Sequence, residues 1–345
     1  MTKEEAPQLG NVMTPDLAWV AKLSEAALEP ELPIVDPHHH LWQRAGNDYL
    51  FHDLRADTRT GHNIVGTVFV DCHSMYRKDG PAEMRCIGET EFANGVAAMS
   101  ASGLYGNLRA CAGIVGHVDL RLGARAGAVF DAQIAAGNGR FKGIRHQTGW
   151  DADPGIRNSR TDPTAELTRD TTWREGFAEL AKRNLTFDAW LYHPQLAEIA
   201  DLADAFPGTP IVLDHVGGPL GYASYAGRHD EVRTAWKKSM VELARRQNIV
   251  VKVGGLGMAM GWFDFYRQPS PPDSQTLADA FKPWVETCIE LFSVDRCMFE
   301  SNFPVDKITS GYGVLWNAFK RLAAKGSAAE KTALFSGTAS RVYKL

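Results

Sequence analysis

Eight short apolar runs, spaced by segments of helical periodicity, constrain the fold more than any other feature of this chain. They cover residues 34–36, 64–71, 109–115, 141–146, 186–191, 211–215, 249–253 and 296–301. Eight alternations of strand and helix predict parallel strands joined by crossover helices and closed into a (β/α)8 TIM barrel. The spacers carry helix-start signals of their own. Thr172 with Glu175 and Ser327 with Glu330 fit capping boxes, and Pro194 suits the first turn of a helix that repeats apolar residues at Leu196, Ile199 and Ala203. A barrel of about 250 residues with insertions accommodates the whole length as one domain. No composition break marks a linker, so the expected organisation is an N-terminal arm over 1–32, packed outside, and a barrel over 33–345.

In such a barrel the carboxyl ends of all the strands meet on one face, which gives polar residues far apart in sequence a shared address. The first run ends Asp36, Pro37, His38, His39, His40. His38 and His40 lie two apart and share a face of an extended chain, and paired neutral imidazoles suit a divalent cation. Arg145 and His146 close the fourth run, Tyr192 and His193 follow the fifth, Asp214 and His215 end the sixth, Lys252 lies in the seventh, and Glu300 with Asn302 closes the eighth. Any one of them alone is as readily a structural hydrogen-bonding residue, but their recurrence at one end points to a site. Arg145, His146 and Lys252 would place positive charge around the mouth, suited to a carboxylate or to the oxyanion developing on an ester. The insertion 258–272 carries Trp262, Phe263, Phe265 and Tyr266 and reads either as a lid over a ring-shaped ligand or as an oligomer contact. The turn at His193, Pro194 and Gln195 and the one from Gly217 to Pro219 read as geometric.

Composition excludes several classes of partner. The net charge is −4 with no basic block, which leaves no electrostatic footprint for nucleic acid. No polybasic or amphipathic anchor stands out, and no apolar run reaches the ~18 residues of a membrane span. A small-molecule partner is expected. The start of the chain is acidic and lacks an apolar signal region, which predicts a cytoplasmic protein. The 5 cysteines contain no C-x-x-C pair and read as reduced core residues rather than a disulfide frame or zinc knuckle.

The motifs DPHHHLW, GIRHQ, FDAWLYHPQL, LDHVGGP, VKVGG and MFESNFPVDK resemble those of the amidohydrolase-related barrel proteins of the amidohydrolase-2 group. Within that group the chain is most similar to the branch of sugar lactonases, sulfomuconolactone hydrolase and 2-pyrone-4,6-dicarboxylate lactonase, from about Ile34 to the C-terminus. The wider superfamily also holds decarboxylases, so the resemblance does not fix the reaction. It places His38 and His40 at the first-strand histidine pair, His215 at the strand-six histidine and His193 at a strand-five metal-ligand position. Strand eight departs from the pattern. Where the relatives resemble GSDWP, this chain reads Glu300, Ser301, Asn302, Phe303, Pro304, and Asn302 occupies the place of the customary aspartate. A carboxamide cannot accept a proton from water at neutral pH. Glu300, two residues earlier, faces the same interior by alternation and is expected to supply the missing carboxylate from one layer deeper. The alternative is a buried structural pair of Glu300 with Lys252 or Arg145.

The resemblance therefore implies a hydrolase that opens a cyclic ester of an anionic or aromatic-derived small molecule. His38, His40 and His193 would hold a divalent ion, zinc in first place, and His215 with Glu300 would handle the proton. Arg145, His146, Tyr192 and Lys252 would bind and orient the substrate, and Asn302 would hydrogen-bond water or the substrate carbonyl. A metal-free lactonase, a metal-dependent decarboxylase and a non-catalytic small-molecule binder are the alternatives, with the oligomeric state open.

Overall fold

The computed structural model describes residues 9, 10 and 12–345. At its centre eight strands run in sequence order: β1 (Pro33–His39), β2 (Asn63–Val70), β3 (Arg109–Gly116), β4 (Phe141–Arg145), β5 (Thr186–Ala189), β6 (Ile211–Leu213), β7 (Ile249–Val253) and β8 (Cys297–Phe299). Every neighbouring pair is parallel. The ring closes between the end of β1 and the chain just past β8. There the His40 amide donates to the Phe303 carbonyl at 2.8 Å and the Asn302 amide to the His38 carbonyl at 2.9 Å. The TIM barrel expected from the alternation is present. Its strands differ from the apolar runs mainly at their ends: β1 continues to His39, while β5, β6 and β8 stop at Ala189, Leu213 and Phe299. Trp190, Asp214 and Glu300 therefore sit on the turns just beyond their strands.

Val35, Val68, Val115, Val212, Val250 and Met298 form the inner cluster, together with Val342 and Tyr343 of the C-terminal helix Thr338–Tyr343. Alternation from these residues carries Asp214, Lys252 and Glu300 inward. β1 breaks the alternation. Its register against β2 shifts between Asp36 and His39, across Pro37, which has no N–H to give to the ladder. The extra residue changes the phase, so His38 and His40 follow Val35 inward. His39 turns outward, where its Nε2 lies 2.8 Å from Thr67 Oγ1 and its ring packs beside Phe69.

The helices cover the outside of the barrel. The Ser327 box forms as expected: Ser327 Oγ accepts the Glu330 amide at 3.3 Å and Glu330 Oε2 accepts the Ser327 amide at 2.7 Å. The Thr172 box does not form. The helix Thr171–Phe177 is capped instead by Asp170, whose Oδ1 accepts the Trp173 amide at 2.8 Å, so an aspartate already stands where the first free amides need an acceptor. Pro194 lies in a single 3-10 turn that leads into Leu196–Ala205, where Leu196, Ile199, Leu202 and Ala203 are buried. All the cysteines are free and buried, as reduced core residues should be. Among the described residues no helix is long and apolar enough to cross a membrane. The N-terminal arm is not wholly outside the barrel: the Gly10 amide donates to the Ala259 carbonyl at 2.8 Å, and Gly10 and Val12 wall the cleft described below. Residues 1–8 and 11 of that arm lie outside the described residues.

Candidate active site

At the carboxyl ends of the strands a cleft of about 800 Å3, counting its open mouth, is lined by His40, Arg145, Trp190, Tyr192, His215 and Asn302 among others. His215 is delivered to it by a strained turn. From His215 to Gly218 every residue has a positive φ, at 53°, 49°, 81° and 58°. The cost is greatest at Val216, because a β-branched side chain tolerates the left-handed region poorly. The result is that the His215 ring meets Glu300. Its Nδ1 lies 2.7 Å from Glu300 Oε1, and the same oxygen accepts the His215 amide at 3.1 Å. A carboxylate only accepts, so Nδ1 carries the proton and the lone pair is left on Nε2, the nitrogen free to serve the cleft. Burial by itself would raise the Glu300 carboxyl, but its interactions and hydrogen bonds with His215 and His38 outweigh it and hold Glu300 below the usual carboxylate range.

The VKVGG run is the wall behind this pair. A Cβ at Gly254 would come within 2.5 Å of Glu300 Cγ, and one at Gly255, where φ is +64°, within 2.3 Å of His215 Nδ1. Gly255→Ala is therefore expected to displace the imidazole from Glu300 and cut kcat by at least about tenfold, since small misplacements of a reacting group are that costly. Steady-state kinetics on a variant shown to be folded check this, and wild-type kcat would mean that the ring is not held there.

His38 Nε2 and His40 Nε2 lie 3.3 Å apart. The Val70 carbonyl takes the His40 Nδ1 proton at 2.8 Å, which leaves the lone pair of that ring on Nε2, while His38 Nδ1 lies 2.9 Å from Glu300 Oε2 and 3.2 Å from the donor Lys252 Nζ. Burial and the Lys252 charge lower the His38 pKa, and burial with the His38 and Arg145 charges lowers that of His40. Both shifts favour the neutral imidazole that a metal ligand needs. Nitrogens bound at about 2.1 Å to a tetrahedral ion lie about 3.4 Å apart, close to the 3.3 Å between His38 Nε2 and His40 Nε2. Imidazoles whose other nitrogen is tied to an oxygen are also the usual form of metal ligand. These residues fit a divalent ion, and His38, Asp214 and His215 likewise offer ligand atoms within 4.8 Å of one another. Arg145 Nη1 faces the same His38 nitrogen at 3.3 Å.

Lys252 is not at the mouth. It is fully buried below the cleft, 2.6 Å from Asp188 and 3.2 Å from Asp214, and Asp188 also accepts the Tyr343 hydroxyl at 2.6 Å. Arg145 bridges Asp71 at 2.8 Å and Asp214 at 3.3 Å. Both cations are occupied by aspartates, which is why Glu300 contacts His38 and His215 rather than either of them. His146 also misses the cleft. Arg145 looks inward, so its neighbour looks outward, and His146 Nδ1 accepts the Leu120 amide at 3.1 Å. Tyr192 and His193 divide in the same way. Tyr192 lines the cleft and donates its hydroxyl to the Arg157 carbonyl, while His193 Nδ1 accepts the Leu220 amide at 3.3 Å and its ring packs on Tyr225. The structure therefore brings His38, His40, Arg145, Tyr192, His215, Glu300 and Asn302 together and leaves His146, His193 and Lys252 out of the cleft. Asn302, at φ 54°, donates Nδ2 to Asp306 at 2.7 Å, which presents its amide oxygen to the cleft.

Three arginines that the sequence pattern did not single out, Arg44, Arg157 and Arg160, also line the cleft. Arg44 lies 3.9 Å over the Trp42 ring and donates to the Cys72 carbonyl at 3.1 Å, and Arg160 reaches that carbonyl at 3.3 Å. Burial and the neighbouring Arg160 charge lower the Arg44 pKa. Crowded guanidinium groups in a recess attract an anion. Arg157 and Arg160 ride on the long connection after β4, and a connection of that length at this end of a barrel was the available signal. The aromatic side chains of the insertion pack beside the cleft rather than into it. Trp262 stacks on His229 and packs against Trp284, and Phe263 packs against Phe281, while Met258, Ala259 and Met260 line the cleft.

A family profile described as Amidohydrolase matches residues 35–345. The chain is 33% identical over 338 residues to the uncharacterized protein y4mH of Sinorhizobium fredii, covering 91% of this chain and 99% of that one. It is 28% identical over 236 residues to an L-fucono-1,5-lactonase of Burkholderia multivorans, covering 68% of this chain and 72% of the lactonase. A solved structure of an amidohydrolase from Burkholderia multivorans with bound zinc superposes with a TM-score of 0.69 at 23% identity, covering 90% of this chain and 99% of that one.

Proposed function

We propose that this chain, which belongs to the amidohydrolase family, is a hydrolase that opens the ring of an anionic lactone to give a hydroxy acid. The observation that carries the reading is the buried pair of His215 and Glu300, joined at 2.7 Å with His215 on the cleft wall. Water attacks the ester carbonyl while His215 Nε2 takes its proton and Glu300 stabilises the imidazolium. Collapse of the tetrahedral intermediate breaks the bond between the carbonyl carbon and the ring oxygen, and His215 returns the proton to that oxygen. Arg145, fixed by Asp71 and Asp214, faces the developing oxyanion. Asn302 offers its amide oxygen to the water, and Trp190 and Tyr192 wall the ring. His38 and His40 would hold a divalent ion, zinc by their donor type, which when bound polarises the carbonyl and acidifies water. The lactonase relative and the zinc in the similar amidohydrolase support this reading. A metal-free lactonase is the second reading, favoured by the Arg145 guanidinium already 3.3 Å from His38 Nε2.

The arginines lead to the anionic substrate. Against a panel that includes L-fucono-1,5-lactone and 2-pyrone-4,6-dicarboxylate, followed by acid release, carboxylated lactones are expected to open with the higher kcat/KM. Arg160→Ala should raise KM for a carboxylated lactone by about tenfold or more, the value of one charge-assisted hydrogen bond, and leave a neutral lactone nearly unchanged. Equal changes for both would remove Arg160 from carboxylate recognition, and no opening of any lactone would sink the proposed reaction. Chelator treatment separates the two readings: loss of turnover restored by zinc supports the ion, and full turnover without metal supports the second.

A further inference from the structure

We propose that Asp71, His73 and His117 form a second divalent-cation site on the β2–β3 side of the cleft, distinct from the His38 and His40 pair. Each of the three offers a ligand atom within 4.8 Å of the others. Asp71 follows β2 and is fully buried. Its Oδ1 takes Arg145 Nε at 2.8 Å, but its Oδ2 is buried with no hydrogen-bond partner among the described residues. His73, held at φ 58° in the loop beyond, places an equally unpartnered Nε2 3.6 Å from that oxygen. That distance is too long for a hydrogen bond and close to the separation of two ligands that share one ion at about 2.1 Å. His117, just past β3, has its Nδ1 3.0 Å from the Arg145 carbonyl, which puts its lone pair on Nε2. The His73 and His117 rings lie 5.2 Å apart.

The surroundings favour a cation over an empty recess. Glu89 uses one oxygen to accept the Cys72 and Ser74 amides at 2.9 and 2.8 Å, while its other oxygen is buried without a partner among the described residues, as is the hydroxyl of Tyr76, whose ring stacks beside His73. A buried polar atom left without a partner is costly, and several concentrated in one place mark a bound ion or water. Asp71 supplies negative charge against the nearby Arg145. Two imidazoles and a carboxylate suit a transition ion such as zinc or cobalt better than magnesium or calcium. Asp71 holds the Arg145 side chain and His117 faces its carbonyl, so an ion here would lock the arginine that faces the reacting carbonyl.

Cobalt titration of the full-length protein after chelator treatment, followed spectroscopically, with anomalous diffraction at the cobalt edge, tests the site. The variant His38→Ala/His40→Ala is expected to retain one equivalent of cobalt with an anomalous peak beside Asp71 Oδ2. Adding His73→Ala or His117→Gln to it should weaken that equivalent by at least about tenfold. His73 is only half-buried on a loop, so its replacement leaves the barrel folded, and thermal melting verifies this. The proposal is overturned if the His38→Ala/His40→Ala variant binds no cobalt, if the His73 and His117 changes leave its affinity intact, or if only water stands beside Asp71. Because the measurement is made without the His38 and His40 pair, its failure leaves the ion proposed there untouched.

Discussion

Glu300→Gln is expected to lower kcat for lactone opening by about 10²- to 10⁴-fold, the range of a lost acid–base contribution, with the barrel still folded. Glu300 serves two rings at once, His215 through Oε1 at 2.7 Å and His38 through Oε2 at 2.9 Å. Glutamine keeps the shape but turns one of those oxygens into an NH2 group. Placed against His215, that donor would face a ring N–H, so the imidazole must change tautomer and present a proton where the reaction needs a lone pair. Loss of the negative charge also removes the stabilisation of a protonated His215. Initial rates and thermal melting decide the matter. A variant with wild-type kcat would make Glu300 a structural residue and leave the general base unassigned.

Lys252→Met is expected to destabilise the fold by about 3–5 kcal/mol, the cost of breaking a buried ion pair from one side. Lys252 and Asp188 are both fully buried at 2.6 Å, and Asp214 lies 3.2 Å away, so removing the ammonium strands two carboxylates inside the barrel. Equilibrium urea unfolding measures this. Adding Asp188→Asn to Lys252→Met should recover part of the loss, because the two residues share one interaction. A change below about 1 kcal/mol for the single variant would mean that the network does not carry its charges in the folded state.

The barrel was legible because its signal is repeated eight times, and an error at a strand end leaves the alternation intact. The inward set was legible only in part. Period two, applied within each strand, separates Arg145 from His146 and Tyr192 from His193, yet clustering of polar residues at strand ends groups them together. His146 and His193 were drawn into the site by that clustering and lie outside the cleft. β1 carries the opposite lesson. Its phase depends on the register shift across Pro37, which no periodicity announces. The inward turn of Glu300 followed from Met298, but its partner did not, since the union with His215 needs the left-handed turn beginning at His215 and the missing side chain at Gly255. Lys252 was placed too high because one strand says nothing of depth: its partners Asp188 and Asp214 come from the β5 and β6 segments. Arg44, Arg157 and Arg160 sit on connections, where no period exists to read.

Hydrolysis is the claim on which the account stands, and turnover in 18O-labelled water tests it most directly. Attack of water on the lactone carbonyl places one solvent oxygen in the new carboxylate and none in the released hydroxyl, because the bond that breaks joins the carbonyl carbon to the ring oxygen. Mass spectrometry of the product after limited turnover should therefore show a single label in the carboxylate, with incorporation suppressed in parallel with rate in Glu300→Gln. Release of carbon dioxide with no label incorporated, or label found in the hydroxyl, would contradict it.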